Sequence, residues 1–180
     1  MLSLGLLYRD ELCVLTSERR GHSVAVGEKA AGAAASIEPW LRADLVAAAT
    51  LHDVGYGHVD TGFHPLDGAR HLRNQGYSAA VIELVAMHSA SWLEAEVRGL
   101  DPSLLRAFKT DLDLRAAHAV LWWADMTTGP QGQDVQVAER LDEICARYGP
   151  GDLVTRFIER ARPLLLVAGQ SPTGSIQVLS

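Results

Sequence analysis

His52 and Asp53 stand side by side at the end of the apolar stretch LVAAATL and run into Val54-Gly55. An imidazole and a carboxylate therefore emerge together at the end of a helix that packs into a core. Burying an unpaired carboxylate is costly, and a metal ion offsets that cost by supplying the missing positive charge. A helix-end aspartate beside a solvated histidine explains the pair equally well when it is taken alone.

Other residues join the pair. Asp125 is a second carboxylate inside an apolar stretch, VLWWADM, and His88 lies in another, ELVAMHSA. His22 follows Gly21 at the entry to a small-residue segment, and His64 precedes Pro65 where a helix can start. Each has an ordinary explanation: a hydrogen-bonded core aspartate, a satisfied core histidine, an exposed cap, a loop residue. Together they are a set of imidazoles and carboxylates delivered by separate apolar helices. That donor set suits Fe, Mn, Ni, Co or Zn. His58, in a glycine-flanked loop just beyond Asp53, is a candidate proton donor or substrate contact. His118 lies two turns before Asp125 and is expected in the core or behind a ligand. His71 is expected at the surface.

The elements that must position these residues are helical. Alanine and leucine dominate and β-branched runs are short, which favours helices over strands. The spacing predicts a helix over Leu4 to Arg19, an interruption at Gly21, and a second helix over Ser23 to Ser36. Pro39 opens the next, which Gly55 and Gly57 end. Pro65 begins another that reaches Gly76, and Ser78 caps AAVIELVAMHSA. The segment from Trp92 to Pro102 is mixed, with Trp92 a candidate for a pocket wall or dimer contact. Ser103 caps a short helix, LDLRAAHAVLWWADM forms a buried one, and two more cover Val135 to Tyr148 and Leu153 to Gly169. The reading is an all-α, single-domain bundle of about eight helices over residues 1–170, with a flexible tail over 171–180.

The ordered pattern H…HD…D in all-helical surroundings resembles the HD superfamily of metal-dependent phosphohydrolases. LHDVGYGH resembles the common HDIG form, HPLDGARHLR the following helix, and WWADMTTG the helix that ends in the last ligand. The resemblance covers about residues 15 to 130. It implies metal ligation by His22, His52, Asp53 and Asp125. In two-metal members His64 and His88 join them, and Asp53 bridges two divalent ions. Met87 stands where relatives often carry a further histidine. Tyr56 stands where many carry a lysine that touches phosphate, and Arg70, Arg73 and Lys109 are the substitute candidates, each also explained as a surface residue. The implied activity is cleavage of a phosphoester or phosphoanhydride of a nucleotide or other small phosphorylated metabolite by metal-activated hydroxide, with Asp53 and His58 catalytic. The alternative, from six-ligand relatives, is a di-iron oxygenase acting on a small polar substrate. A binding module that has lost catalysis ranks last, since every ligand position is intact. Neither the GYP signature of cyclic-dinucleotide phosphodiesterases nor the HDxxED motif of alarmone hydrolases is present.

Composition narrows the partners. The formal net charge of −6 leaves no electrostatic footprint for a nucleic acid polymer. Arg19-Arg20, the basic doublet, is expected at a solvated helix end. Cys13 and Cys145 lie far apart without metal or redox spacing, as in a reducing compartment. MLSLGLLYRDEL lacks the basic start of a signal peptide, and no apolar run is long enough to span a bilayer. A cytoplasmic protein with a small-molecule substrate and no membrane partner is expected. Its oligomeric state is open.

Overall fold

The computed structural model describes residues 3–174. Its helices are α1 Leu4–Leu7, α2 Arg9–Leu12, α3 Ser17–Ala33, α4 Arg42–Leu51, α5 His64–Asn74, α6 Ala79–Ala86, α7 Ser91–Val97, α8 Ser103–Arg106, α9 Arg115–Met126, α10 Val137–Tyr148 and α11 Leu153–Ala168. Single 3-10 turns cover Ala34–Ser36, Pro39–Leu41, Val54–Gly57 and His88–Ala90. The described residues hold no strand, only an isolated bridge between Thr128 and Asp134. The fold is all-α, as expected. The expected tail over 171–180 falls mostly outside the described residues, which end at Gly174.

Helix α4 is the spine. Leu45, Ala47, Ala48, Ala49, Thr50 and Leu51 are all buried, so it touches protein on nearly every side. Helices α3, α6 and α9 pack around it. The α3–α4 contact is close because Gly27 faces Thr50: a Cβ at Gly27 would sit 2.1 Å from Thr50 Oγ1. Helices α10 and α11 pack on each other, and α11 covers α7 and α9. Trp122 is fully buried, with Trp92 tilted against it at 5.5 Å between ring centroids. Trp92 thus belongs to the core, not to a loop surface, and its segment is helix α7.

Ser103 is the first residue of α8 and not its cap, and two larger boundaries differ from the sequence reading. Gly21 does not interrupt α3. The helix starts at Ser17, where the Thr16 hydroxyl accepts from the Arg19 amide, and runs through the glycine for 17 residues. A glycine inside a helix costs about 1 kcal/mol, which packing against α4 and α9 outweighs. Because Thr16 takes the capping position, the helix expected over Leu4 to Arg19 must break before it, and α1 and α2 are its remnants.

The second difference lies at His88. Helix α6 begins where expected, with the Ser78 hydroxyl accepting from the Val81 amide at 3.2 Å. It stops at Ala86 instead of continuing. Ser89 and Ala90 then adopt left-handed backbone, φ 47° and 60°. That conformation costs L-residues about 1–2 kcal/mol each. The carbonyls freed by the early stop are satisfied by side chains: His88 Nδ1 meets Val85 O at 2.6 Å, and Ser91 Oγ donates to Ala86 O at 2.7 Å.

Candidate metal centre

Residues from five elements converge beneath one small cavity. His22 comes from the middle of α3, His52 and Asp53 from the end of α4, His64 from the first turn of α5, His88 from the kink after α6, and Asp125 from the last turn of α9. Except for half-buried His64, all are buried. They form two groups able to hold a metal ion: His22, His52 and Asp125; and Asp53, His64 and His88, the ligand atoms of each group lying within 4.8 Å of one another.

The first group centres on Asp125 Oδ1, which lies 3.3 Å from His22 Nε2 and 3.6 Å from His52 Nε2. In the second, His64 Nε2 is 3.5 Å from Asp53 Oδ1 and 3.2 Å from His88 Nε2. Asp53 Oδ1 is also 3.5 Å from His52 Nε2, so this carboxylate stands between the groups.

The imidazoles are oriented through their outer nitrogens. Nδ1 of His22 meets Gly129 O at 3.1 Å, Nδ1 of His52 meets Ala49 O at 2.9 Å, and His88 Nδ1 is held on Val85 O. A carbonyl can only accept, so each Nδ1 carries the proton. In the neutral rings Nε2 is then a bare lone pair aimed inward, the form in which histidine binds a metal. The carboxylates are anchored likewise. Ser89 Oγ donates to Asp125 Oδ2 at 2.5 Å, and Arg19 Nη1 to Asp53 Oδ2 at 2.5 Å. The donor set and its anchoring fit a pair of divalent ions.

Electrostatics agree. Burial disfavours charge on His52, but Asp53 and Asp125 overcome it and raise its pKa to about 9. Burial lowers His64 and His88, the former strongly, so both are neutral. Burial works against the charge of Asp53 too, yet His52 and Arg19 hold its carboxyl below the usual range. Asp125 is held low by His52 and His22 against the same opposition. Without metal, a proton on His52 acts as the cation between two carboxylates.

The loop after Asp53 is positioned by two features. Gly55 lies against the start of α5, where a Cβ would be 2.0 Å from the His64 carbonyl oxygen. Buried Asp67 accepts from the backbone amides of Asp60, Thr61 and Gly62 at 2.9–3.2 Å and from the Thr61 hydroxyl at 2.8 Å. The glycine lets His64 approach Asp53, and Asp67 fixes the loop leading into it.

The cavity above the groups measures about 120 Å³. Arg19, Tyr56, Glu94, Arg140 and Arg147 are among the groups that line it, with Ile144 and Phe157 on the apolar side. The family model described as HD domain matches residues 19–144. The chain belongs to the HD domain family. No curated protein and no solved structure matches it.

Several expectations for this HD domain need correction. Arg19 is not at a solvated helix end: its guanidinium holds Asp53 and lies 3.7 Å above the Tyr56 ring centroid. The signal was present, since Arg19 is one turn before His22 on the same face. Arg70 is instead paired with Asp60 at 2.6 Å, Arg73 lies over Phe108, and neither they nor Lys109 line the cavity. His58 stacks on His71, ring centroids 3.5 Å apart, and does not line the cavity either. His118, by contrast, is in the core as expected, its Nε2 3.8 Å from Glu83 Oε1. Ser89, Arg140 and Arg147 were missed. The i, i+4, i+7 stripe Arg140, Ile144, Arg147 on α10 is the pattern that marks the last two.

Proposed function

We propose that this chain is a cytoplasmic, metal-dependent phosphohydrolase, with residues 1–170 acting as one HD domain that cleaves a phosphoester or phosphoanhydride of a nucleotide or other small phosphorylated metabolite. The observation that carries the reading is Asp53 Oδ1, equidistant at 3.5 Å from a histidine of each group. That placement suits a carboxylate shared by two ions drawn from Fe, Mn, Ni, Co or Zn. His22, His52 and Asp125 would hold one, His64 and His88 the other. Divalent ions bound there supply Lewis acidity, lowering the pKa of water and neutralising charge on phosphoryl oxygens.

The chain's own groups do the rest. Arg19 fixes the second oxygen of Asp53 and keeps that carboxylate ionised. Its remaining guanidinium donors are within the same cavity, where an anionic substrate is favoured. Ser89 immobilises Asp125. Ile144 and Phe157 keep bulk water from one side of the reacting centre, which strengthens every charge interaction inside it. The arginine-lined wall suits a phosphorylated substrate. His58, stacked on His71, has no part in this reading.

The test is phosphate release from a panel of phosphoesters and anhydrides with Mn²⁺, comparing the chain with Asp53→Ala. Loss of at least about a hundredfold in kcat is expected, the scale of removing one preorganised electrostatic contact. Full activity of Asp53→Ala would falsify the reading. Oxygen consumption with an iron-loaded protein and no phosphate release would transfer it to the oxygenase class.

A further inference from the structure

Beside the metal centre lies a second recess of about 70 Å³, lined by Arg19, Arg140, Arg147, His22, Thr16 and Glu18, with Pro130 at its edge. It shares both His22 and Arg19 with the main cavity, as well as the two α10 arginines. The carboxylates near it do not answer all its charge. Glu143 accepts from Arg140 Nη1 at 3.0 Å and stands 3.3 Å from Arg147 Nε, so one half-exposed carboxylate serves two guanidiniums. Arg19 is committed to Asp53, and Glu18 shows no ion pair within the described residues.

Arg140 is the telling residue. Its side chain is only 12% exposed, yet its buried Nε finds no hydrogen-bond partner among the described residues. Buried donors are nearly always satisfied, and one that is not calls for an explanation. A guanidinium offers a planar fork that matches a carboxylate or phosphate. The recess, at about 70 Å³, has room for one such group.

We infer that this recess is a second anion subsite, selecting a compact phosphorylated substrate that carries a carboxylate or second phosphate a short chain away from the phosphate at the metal centre. The inference rests on the phosphohydrolase reading and narrows it. Even together, cavity and recess fall below the roughly 300 Å³ at which pockets begin to enclose a drug-sized ligand. The enclosed space suits a small acidic metabolite.

A matched pair of non-hydrolysable probes tests this: propylphosphonate, and 3-phosphonopropionate, which adds a terminal carboxylate. Their affinities for the Mn²⁺-loaded chain are read by calorimetry. The second is expected to bind about tenfold or more tightly, the worth of a charge-assisted hydrogen bond. Arg140→Gln is expected to erase that preference, so that the two probes bind alike. Arg147→Gln, on an exposed part of α10, is expected to reduce it and serves if Arg140→Gln fails to fold. Equal binding of the two probes, binding of neither, or a preference that survives both substitutions overturns the inference. A preference that holds while no phosphoester is hydrolysed leaves the subsite standing and removes the hydrolase reading. Hydrolysis of singly charged phosphoesters without the preference does the reverse.

Discussion

His64 Nε2 and His88 Nε2 face each other at 3.2 Å. The Nδ1 proton of His88 is committed to the Val85 carbonyl, so its Nε2 presents a lone pair. Two lone pairs at that distance repel unless a proton or a cation lies between them. Without metal, the proton comes from His64. With metal, both nitrogens are free to ligate, and Asp53 completes the group. Elemental analysis of protein purified without chelator is therefore expected to give close to two ions per chain. His64→Ala and His88→Ala are each expected to lower that to about one. A value of one in the unaltered chain would reduce the centre to His22, His52, Asp53 and Asp125.

Ser89 combines a strained backbone with a short hydrogen bond to Asp125. Removing the hydroxyl in Ser89→Ala is expected to weaken metal binding by about 10- to 100-fold, as for other groups that orient a ligand from behind. Ser89→Gly loses the same hydroxyl but tolerates positive φ, so it should be more stable than Ser89→Ala by about 1 kcal/mol. Metal titrations and thermal melts of the two variants separate these effects. Unchanged affinity in both would show that Asp125 needs no such support.

Gly55→Ala places a methyl group where the His64 carbonyl now sits. The start of α5 must move, at a cost of about 3 kcal/mol by the usual penalty for overpacking. The expected signature is loss of the ion held by His64 before loss of the one held by His22, His52 and Asp125. Simultaneous loss of both in a titration would contradict the arrangement.

In the metal-free chain His52 holds its proton up to about pH 9. A metal must displace that proton, because only the neutral imidazole ligates. Apparent affinity is therefore expected to rise with pH, by up to about tenfold per unit for this proton, and to level off above about pH 9. Dissociation constants measured from pH 6 to 9.5 check this, and a flat profile would exclude His52 as a displaced-proton ligand.

The helical class and most helix starts can be read from the chain alone, because caps such as Ser78 and the apolar periodicity act within a few residues. The metal-centre candidates can be read for the same kind of reason: His52-Asp53, His64, His88 and Asp125 are chemically unusual where they lie. What cannot be read this way depends on contacts between segments distant in the chain. Gly21 reads as a break because the packing of α3 on α4 that overrides it is invisible locally. At the kink of Ser89 and Ala90 the serine hydroxyl is engaged by Asp125, 36 residues on. Arg19 reads locally as solvated because its partner, Asp53, is 34 residues away. The pairing of His58 with His71, the burial of Trp92 and the recess formed by Arg19 with Arg140 and Arg147 were likewise decided by tertiary structure. Short-range propensities set which residues form helices, whereas burial and ion pairing between helices set which side chains share a site.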